Sequence, residues 1–285
     1  MYPPIPAFLV SVSSFFSLYF LSAVLRDEPL QVSGASLAGA LTIFLFLLFL
    51  RVSDEWKDRE VDKLLFPTRP LPSGRVLLSD LKVLLGGVCI LMVILNIFWT
   101  NALLPFLLLF GYGWLMFFYF FIPQIISKSL LWALLTHNPS VLCMNLYVLS
   151  ISSPFTPTTL LLALLFWLPA LAWELSRKIR APEEETEYQT YSKIFGYRGA
   201  TLIPLGLFGI HCMAILRLPI PLSIPFRSLL TLTFLVLLLF FLRFLHTPNS
   251  KTSKLKPFVE GYMGISSLGL LIELWAQKGV VWAIF

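Results

Sequence analysis

The residues in this chain best equipped for chemistry lie where an apolar run, Leu47, Phe49 and Leu50, passes straight into Arg51-Val52-Ser53-Asp54-Glu55-Trp56-Lys57-Asp58-Arg59-Glu60-Val61-Asp62. Continued as a helix, this stretch sets Asp54, Asp58 and Asp62 one turn apart on one face, with Glu55 beside them. Like charges at four-residue spacing destabilise a bare helix, so such a ladder needs a compensating cation. Basic side chains or a metal could supply it. For a row of hard oxygen ligands Mg²⁺ is the leading candidate. A second concentration of charge, Glu174 and Glu183-Glu184-Glu185 with Glu187, is interleaved with Arg177, Lys178 and Arg180. Two such helix ends facing each other across a bundle would make one site.

The elements that must position these groups are membrane helices. With 58% hydrophobic and only 13% charged residues, the chain departs from the roughly 25% charged content of soluble domains. Several apolar runs reach the roughly 20 residues that cross about 30 Å of hydrocarbon, and none alternates strictly as barrel strands would. The sequence predicts an all-α bundle of nine spans, at 5–25, 36–53, 81–100, 102–124, 130–152, 156–176, 199–216, 226–245 and 258–277. Pro139 predicts a kink or a late start in the fifth, and Thr100-Asn101 demands a tight hairpin between the third and fourth. No second soluble domain is visible, so residues 1–285 read as a single transmembrane domain.

Charge sets the expected orientation. Arg51, Lys57, Arg59, Lys63, Arg69, Arg75, Lys82, Lys128, Arg177, Lys178, Arg180, Lys193, Arg198, Arg243, Lys251, Lys254 and Lys256 fall in loops after even-numbered spans, leaving Arg26, Arg217, Arg227 and Lys278 for the opposite side. By the positive-inside rule the first group is cytoplasmic, and so are the amino terminus and both charged clusters. The net charge of +6 follows from basic loops facing anionic lipid; no basic-aromatic nucleic-acid motif is present. Cys89, Cys143 and Cys212 lie apart in apolar segments and read as small buried hydrophobes. The start, Met1-Tyr2-Pro3-Pro4, lacks the charged region of a cleavable signal, so the first helix is expected to stay.

The run Asp54-Glu55-x-x-Asp58-x-x-x-Asp62, followed by Arg69-Pro70-Leu71-Pro72-Ser73-Gly74, resembles the first signature of the UbiA superfamily of intramembrane prenyltransferases, Asn-Asp-x-x-Asp-x-x-x-Asp and then Arg-Pro-Leu-x-x-Gly. Asp54 stands at the family's Asn, Glu55 at its first Asp, Asp58 and Asp62 at the next two. Thr190-Tyr191-Ser192-Lys193-Ile194-Phe195-Gly196 is similar to the Thr-x-x-x-x-x-Gly stretch after the second signature. That second signature, usually Asp-x-x-x-Asp, departs here. By position Glu174 matches its first Asp and Lys178 replaces its second; by distance from Thr190, Glu183 would match the second. Position at the end of a membrane helix favours Glu174. The family's Tyr-x-x-x-Lys pair near the fifth helix has no counterpart: Thr136-His137-x-Pro139 faintly resembles the segment after it, Ala133 stands at the lysine, and Lys128 is out of register.

The resemblance implies an enzyme that binds a prenyl diphosphate with Mg²⁺ at the cytoplasmic end of the bundle. Asp54, Glu55, Asp58, Asp62, Glu174 and Glu183 would be the metal ligands. Asp54, Asp58, Asp62 and Glu174 would form the catalytic set, and Lys57, Arg59, Arg69, Arg177, Lys178 and Arg180 would contact diphosphate. Cations of this kind stabilise the charge that develops on the leaving group. Transfer to an aromatic or other lipophilic acceptor is the family's default outcome. A UbiA-type terpene cyclase, in which the substrate's own double bond captures the cation, is the alternative within the same chemistry. A transporter of a divalent cation or lipid phosphate would use the same carboxylates, although transporters bury such sites near the bilayer midplane.

Overall fold

The long apolar runs do become helices. The computed structural model describes residues 4–283, and the chain passes through α1 (Pro4–Leu25), strand β1 (Gln31–Ser33), α2 (Gly34–Lys57), α3 (Arg59–Leu65), α4 (Leu78–Phe98), α5 (Leu103–Phe117), α6 (Pro123–Ile126), α7 (Leu130–His137), α8 (Pro139–Ser152), α9 (Pro157–Ser176), α10 (Tyr191–Leu216), α11 (Ile224–His246), α12 (Lys256–Gly264), α13 (Leu270–Lys278) and strand β2 (Val281–Ala283). Among the described residues α1, α2, α4, α9, α10 and α11 are long and apolar enough to cross a membrane. The other three expected spans are shorter or interrupted. α5 ends at Phe117, short of 124; the fifth breaks at Asn138-Pro139 into α7 and α8; the last divides into α12 and α13 around a π-helical turn, Ile265–Gly269. The break at Pro139 is where a missing N–H and the ring's bulk end a helix.

Local chemistry fixes the ends of the helices. Ser33 and Ser36 exchange side-chain and backbone hydrogen bonds at the start of α2, and Thr156 and Thr159 do the same at the start of α9, so otherwise orphaned N–H groups are satisfied. α10 starts at Tyr191, well before the expected 199, because Thr190 caps it. Gly196, at φ 67°, then bends the chain into its membrane-spanning part, a conformation open to glycine at little steric cost.

α2 packs on α1, α4 and α5, α9 lies between α8 and α10, and α1 also reaches α8 and α13. α5 packs against α2 at Gly113, where an added Cβ would lie 2.7 Å from Phe46 and 2.9 Å from Phe49. Both rings are fully buried, so Gly113→Ala must push the helices apart. We expect a loss of about 1–3 kcal/mol, typical of overpacking, seen as a lower melting temperature in detergent. Between α2, α4 and α8 the core is polar. Asn96 donates to Thr42 Oγ1 (2.9 Å) and accepts from Tyr147 Oη (2.6 Å), which satisfies groups that hydrocarbon could not. Asn145 on α8 donates to the Ala163 carbonyl on α9 at 3.0 Å, an interhelical bond. Ile90, Ile97, Leu104 and Leu239 point outward, as surfaces that meet lipid can.

At one end of the bundle β1 and β2 pair in parallel, Gln31 with Val281 and Ser33 with Ala283. Arg26 binds the Ser152 carbonyl there at 2.8 Å. α2 and α9 begin at this end and run to the other, where the carboxylate ladder lies.

Candidate active site

The helix through the ladder is interrupted once. Asp58 (φ −86°, ψ 2°) ends α2 and precedes α3, yet Asp58 N–H still reaches the Asp54 carbonyl (2.9 Å) and Asp62 N–H the Asp58 carbonyl (2.8 Å). The side chains therefore keep nearly helical positions while meeting different partners. Asp54 pairs with Lys57 at 3.0 Å. Glu55 turns to Arg51 one turn back. Asp62 is buried, and Arg69 Nη1 reaches both of its oxygens at 2.7 Å. Arg69 also stacks on Phe66, 4.1 Å from the ring centre, and Arg59 pairs with exposed Glu60.

Beside Asp54 and Asp58 opens a cavity of about 520 Å³, within the size range of small-molecule sites. Its wall combines Asp54, Lys57 and Asp58 with Tyr119 after α5, Lys128 and His137 on and before α7, Lys178 after α9, and the strap Glu187-Tyr188-Gln189. Gln189 ties that strap to α7 by accepting the Leu130 N–H at 3.1 Å. The two charged helix ends are thus brought together, but not all of their residues meet. Glu174 is held by Arg177 (2.7 Å) and Lys178 (3.7 Å). Glu183 accepts the Ser250 N–H at 2.7 Å, and Arg180 donates to the Ile179 carbonyl at 2.9 Å. Of the sequence-predicted site residues, Asp54, Lys57, Asp58 and Lys178 border the cavity; Glu55, Arg59, Asp62, Arg69, Glu174, Arg177, Arg180 and Glu183 are not part of its wall.

Tyr119, Lys128, His137 and Glu187 also line the cavity and were not among the predicted site residues. Tyr119 Oη donates to Asp58 at 3.3 Å, and Lys57 Nζ sits 4.6 Å from the centre of its ring. It opens a turn in which Tyr119, Phe120 and Phe121 all have positive φ, 50°, 51° and 60°, at a cost of roughly 1–2 kcal/mol for each such residue. Strain of this size persists only where the surroundings impose it. Aromatic residues give no sequence signal for such a turn. His137 Nδ1 lies 3.1 Å from the Ala133 carbonyl and 3.0 Å from Thr136 Oγ1; a carbonyl only accepts, so a hydrogen bond to it is donated by Nδ1.

Electrostatics mark Asp58 and Lys178. Burial, then the neighbouring Asp54 carboxylate, holds the Asp58 carboxyl above its ordinary value, with Lys57 and the Tyr119 hydrogen bond acting against them. Tyr119, buried next to Asp58, is pushed up to about 12 and stays a donor. Lys178 is pushed below the ordinary lysine value by burial, which Glu174 only partly counters. A carboxylate and an ammonium that are both short of solvent are suited to a ligand that brings charge of its own. No group of three or more His, Cys, Asp or Glu able to hold a metal exists among the described residues. Asp54 and Asp58 alone still fit Mg²⁺, which usually takes one or two carboxylates from a protein and its other oxygens from phosphate and water.

Residues 10–268 match the model of the UbiA prenyltransferase family. The fold is similar to that of a digeranylgeranylglyceryl phosphate synthase, with a TM-score of 0.64 and 17% identity over 95% of this chain and 98% of the other. It is also similar to the apo structure of a UbiA homologue from Aeropyrum pernix K1, with a TM-score of 0.61 and 13% identity over 90% and 96%. No curated protein matches the chain in sequence.

Proposed function

Since the chain belongs to the UbiA prenyltransferase family, we propose that it ionises an isoprenoid diphosphate at this cavity, with Mg²⁺, and transfers the prenyl group to a lipophilic acceptor. The observation that carries this reading is the cavity itself, where Asp54 and Asp58 share one wall system with Lys57, Lys128 and Lys178 at the end of an apolar bundle. The allylic carbon–oxygen bond breaks with its electron pair left on diphosphate; the cation is captured by the acceptor, which forms the new bond and releases a proton. Asp54 and Asp58 would hold Mg²⁺, which when bound neutralises charge on the leaving group. Lys57 is fixed between Asp54 and the ring of Tyr119, so its ammonium is oriented before substrate arrives and needs no reorganisation during reaction. Tyr119 holds Asp58 by its hydroxyl. By the distribution of basic residues this end of the bundle is cytoplasmic.

The test is direct. Purified protein in nanodiscs is given Mg²⁺ and geranyl, farnesyl or geranylgeranyl diphosphate, with and without a panel of lipophilic phenols, quinol precursors and lipid alcohols, and diphosphate release and lipid products are measured. Release coupled to a prenylated acceptor is expected. Cyclic hydrocarbon formed without acceptor would replace transfer by cyclisation. No release under any condition would sink the enzymatic reading and leave transport of a cation or lipid phosphate.

A further inference from the structure

The two walls of the cavity differ in kind. On the α2 side stand Asp54 and Asp58. On the other, where the second charged cluster could have supplied carboxylates, the acids are taken up by the protein. Glu174 is bound by Arg177 and Lys178, Glu183 by the Ser250 N–H, and Glu185 by the Thr190 hydroxyl at 2.7 and 2.8 Å. What this wall presents is ammonium: Lys128, in the turn before α7, and Lys178, beyond α9, with Glu187 as its single carboxylate. Among the described residues the other cavity lysine, Lys57, is paired with Asp54 at 3.0 Å, whereas Lys128 has no ion-pair partner and Lys178 only a long contact of 3.7 Å to Glu174. Two cations on one wall repel unless an anion lies between them.

We propose that Lys128 and Lys178 form a direct grip for phosphate oxygens, which does on this wall what a second carboxylate-bound metal ion would otherwise do, so that the site takes diphosphate with metal on the α2 side only. The inference rests on the diphosphate reading of the cavity and specifies how that ligand is held. A lysine ammonium is a compact point charge with three donors and needs no cofactor to meet a phosphate. The Lys178 side chain is only 20% exposed and lies 5.9 Å from the centre of the Tyr191 ring, so it gains more from an incoming anion than a fully hydrated lysine would. The two lysines come from separate elements, one in the turn before α7 and the other just beyond α9.

Inorganic pyrophosphate serves as the probe. Calorimetry in detergent with EDTA present is expected to show binding without metal. Lys128→Gln or Lys178→Gln is expected to weaken it about ten- to a hundredfold, the range of one hydrogen bond to a charged group, and the double variant to abolish it. Size-exclusion profiles and melting curves establish that the variants remain folded. Counting Mn²⁺ by electron paramagnetic resonance in the presence of pyrophosphate should give a single ion per chain, rising when Lys178 is changed to Asp. Binding that requires metal, or that the double variant leaves unchanged, would overturn the grip. If pyrophosphate binds through the lysines but no isoprenoid diphosphate is ever ionised, the grip stands and the prenyl-transfer reading fails. If turnover is found while the double variant binds as the parent does, the grip alone fails.

Discussion

Asp58→Asn is expected to lower turnover by about two to three orders of magnitude while raising the melting temperature of the metal-free protein. The loss of activity follows from removing one of only two ladder carboxylates on the cavity wall; losing a preorganised electrostatic contact to the reacting group typically costs about 10²–10³ in rate. The gain in stability follows from linkage. The folded-state pKa of Asp58 is raised, chiefly by burial and then by Asp54, so the folded protein holds this proton more tightly than the unfolded chain does. Stability must therefore fall as pH rises from the ordinary aspartate range through the raised value, and remain lower above it. Asparagine carries no charge to desolvate, and its carbonyl oxygen can still accept from Tyr119. Melting curves with EDTA should show parent and variant converging at acidic pH and the variant ahead at neutral and mildly alkaline pH. A variant that melts lower throughout, or retains full turnover, would contradict this assignment.

Arg69→Ala is expected to be the more damaging change for the fold. Asp62 is 4% exposed, and Arg69 provides the sole ion pair found for it among the described residues. Removing one partner of a fully buried pair costs about 3–5 kcal/mol, because the remaining charge stays out of water. Arg69 is 41% exposed on its side chain, so water already screens the pair, and roughly 1–2 kcal/mol is the better expectation. The damage should spread. The connection from α3 to α4 is closed on itself by Ser73 N–H to the Arg69 carbonyl at 3.0 Å, Val76 N–H to the Pro70 carbonyl at 3.1 Å and Arg75 to the Thr68 carbonyl at 2.5 Å, and the Arg69 side chain ties this unit to Asp62. A shift of even an ångström at the neighbouring Asp58 would lower turnover by about a hundredfold. Adding Asp62→Asn should restore much of the stability, since it removes the orphaned charge. If Arg69→Ala melts as the parent does, Arg69 is free for another role.

How far the sequence reveals this site can be followed residue by residue. The ladder was legible because four-residue spacing in a helix is geometry, and Asp54 and Asp58 reach the cavity together as that geometry requires. The break at Pro139 was legible for an equally local reason. Hydropathy set the membrane part of α10 but missed its first turn, because Tyr191–Phe195 is a short mixed stretch, buried at Tyr191 and Ser192 and exposed at Lys193, Ile194 and Phe195, and is held by the Thr190 cap. Partner choice was not legible. Asp62 and Arg69 each carried the right chemistry for a diphosphate site, and only the folded connection shows them bound to each other. Glu183 answers to Ser250, far along the chain. Tyr119 was hidden because three aromatic residues in left-handed conformation contradict local preference, and the surrounding packing, not the sequence, imposes that turn.

The pairing of β1 with β2 gives the molecule a clock. β1 follows the first helix, and its partner β2 follows the last; Lys278 meets Asp27, 251 residues earlier, at 3.4 Å beside them. During synthesis the backbone donors and acceptors of Gln31–Ser33 must wait, held by water, until nearly all the described helices have been inserted. Contacts of such separation form late and slowly. The bundle therefore stays unlatched while its helices are made, and the end opposite the charged cavity is closed by a strand that follows all the described helices.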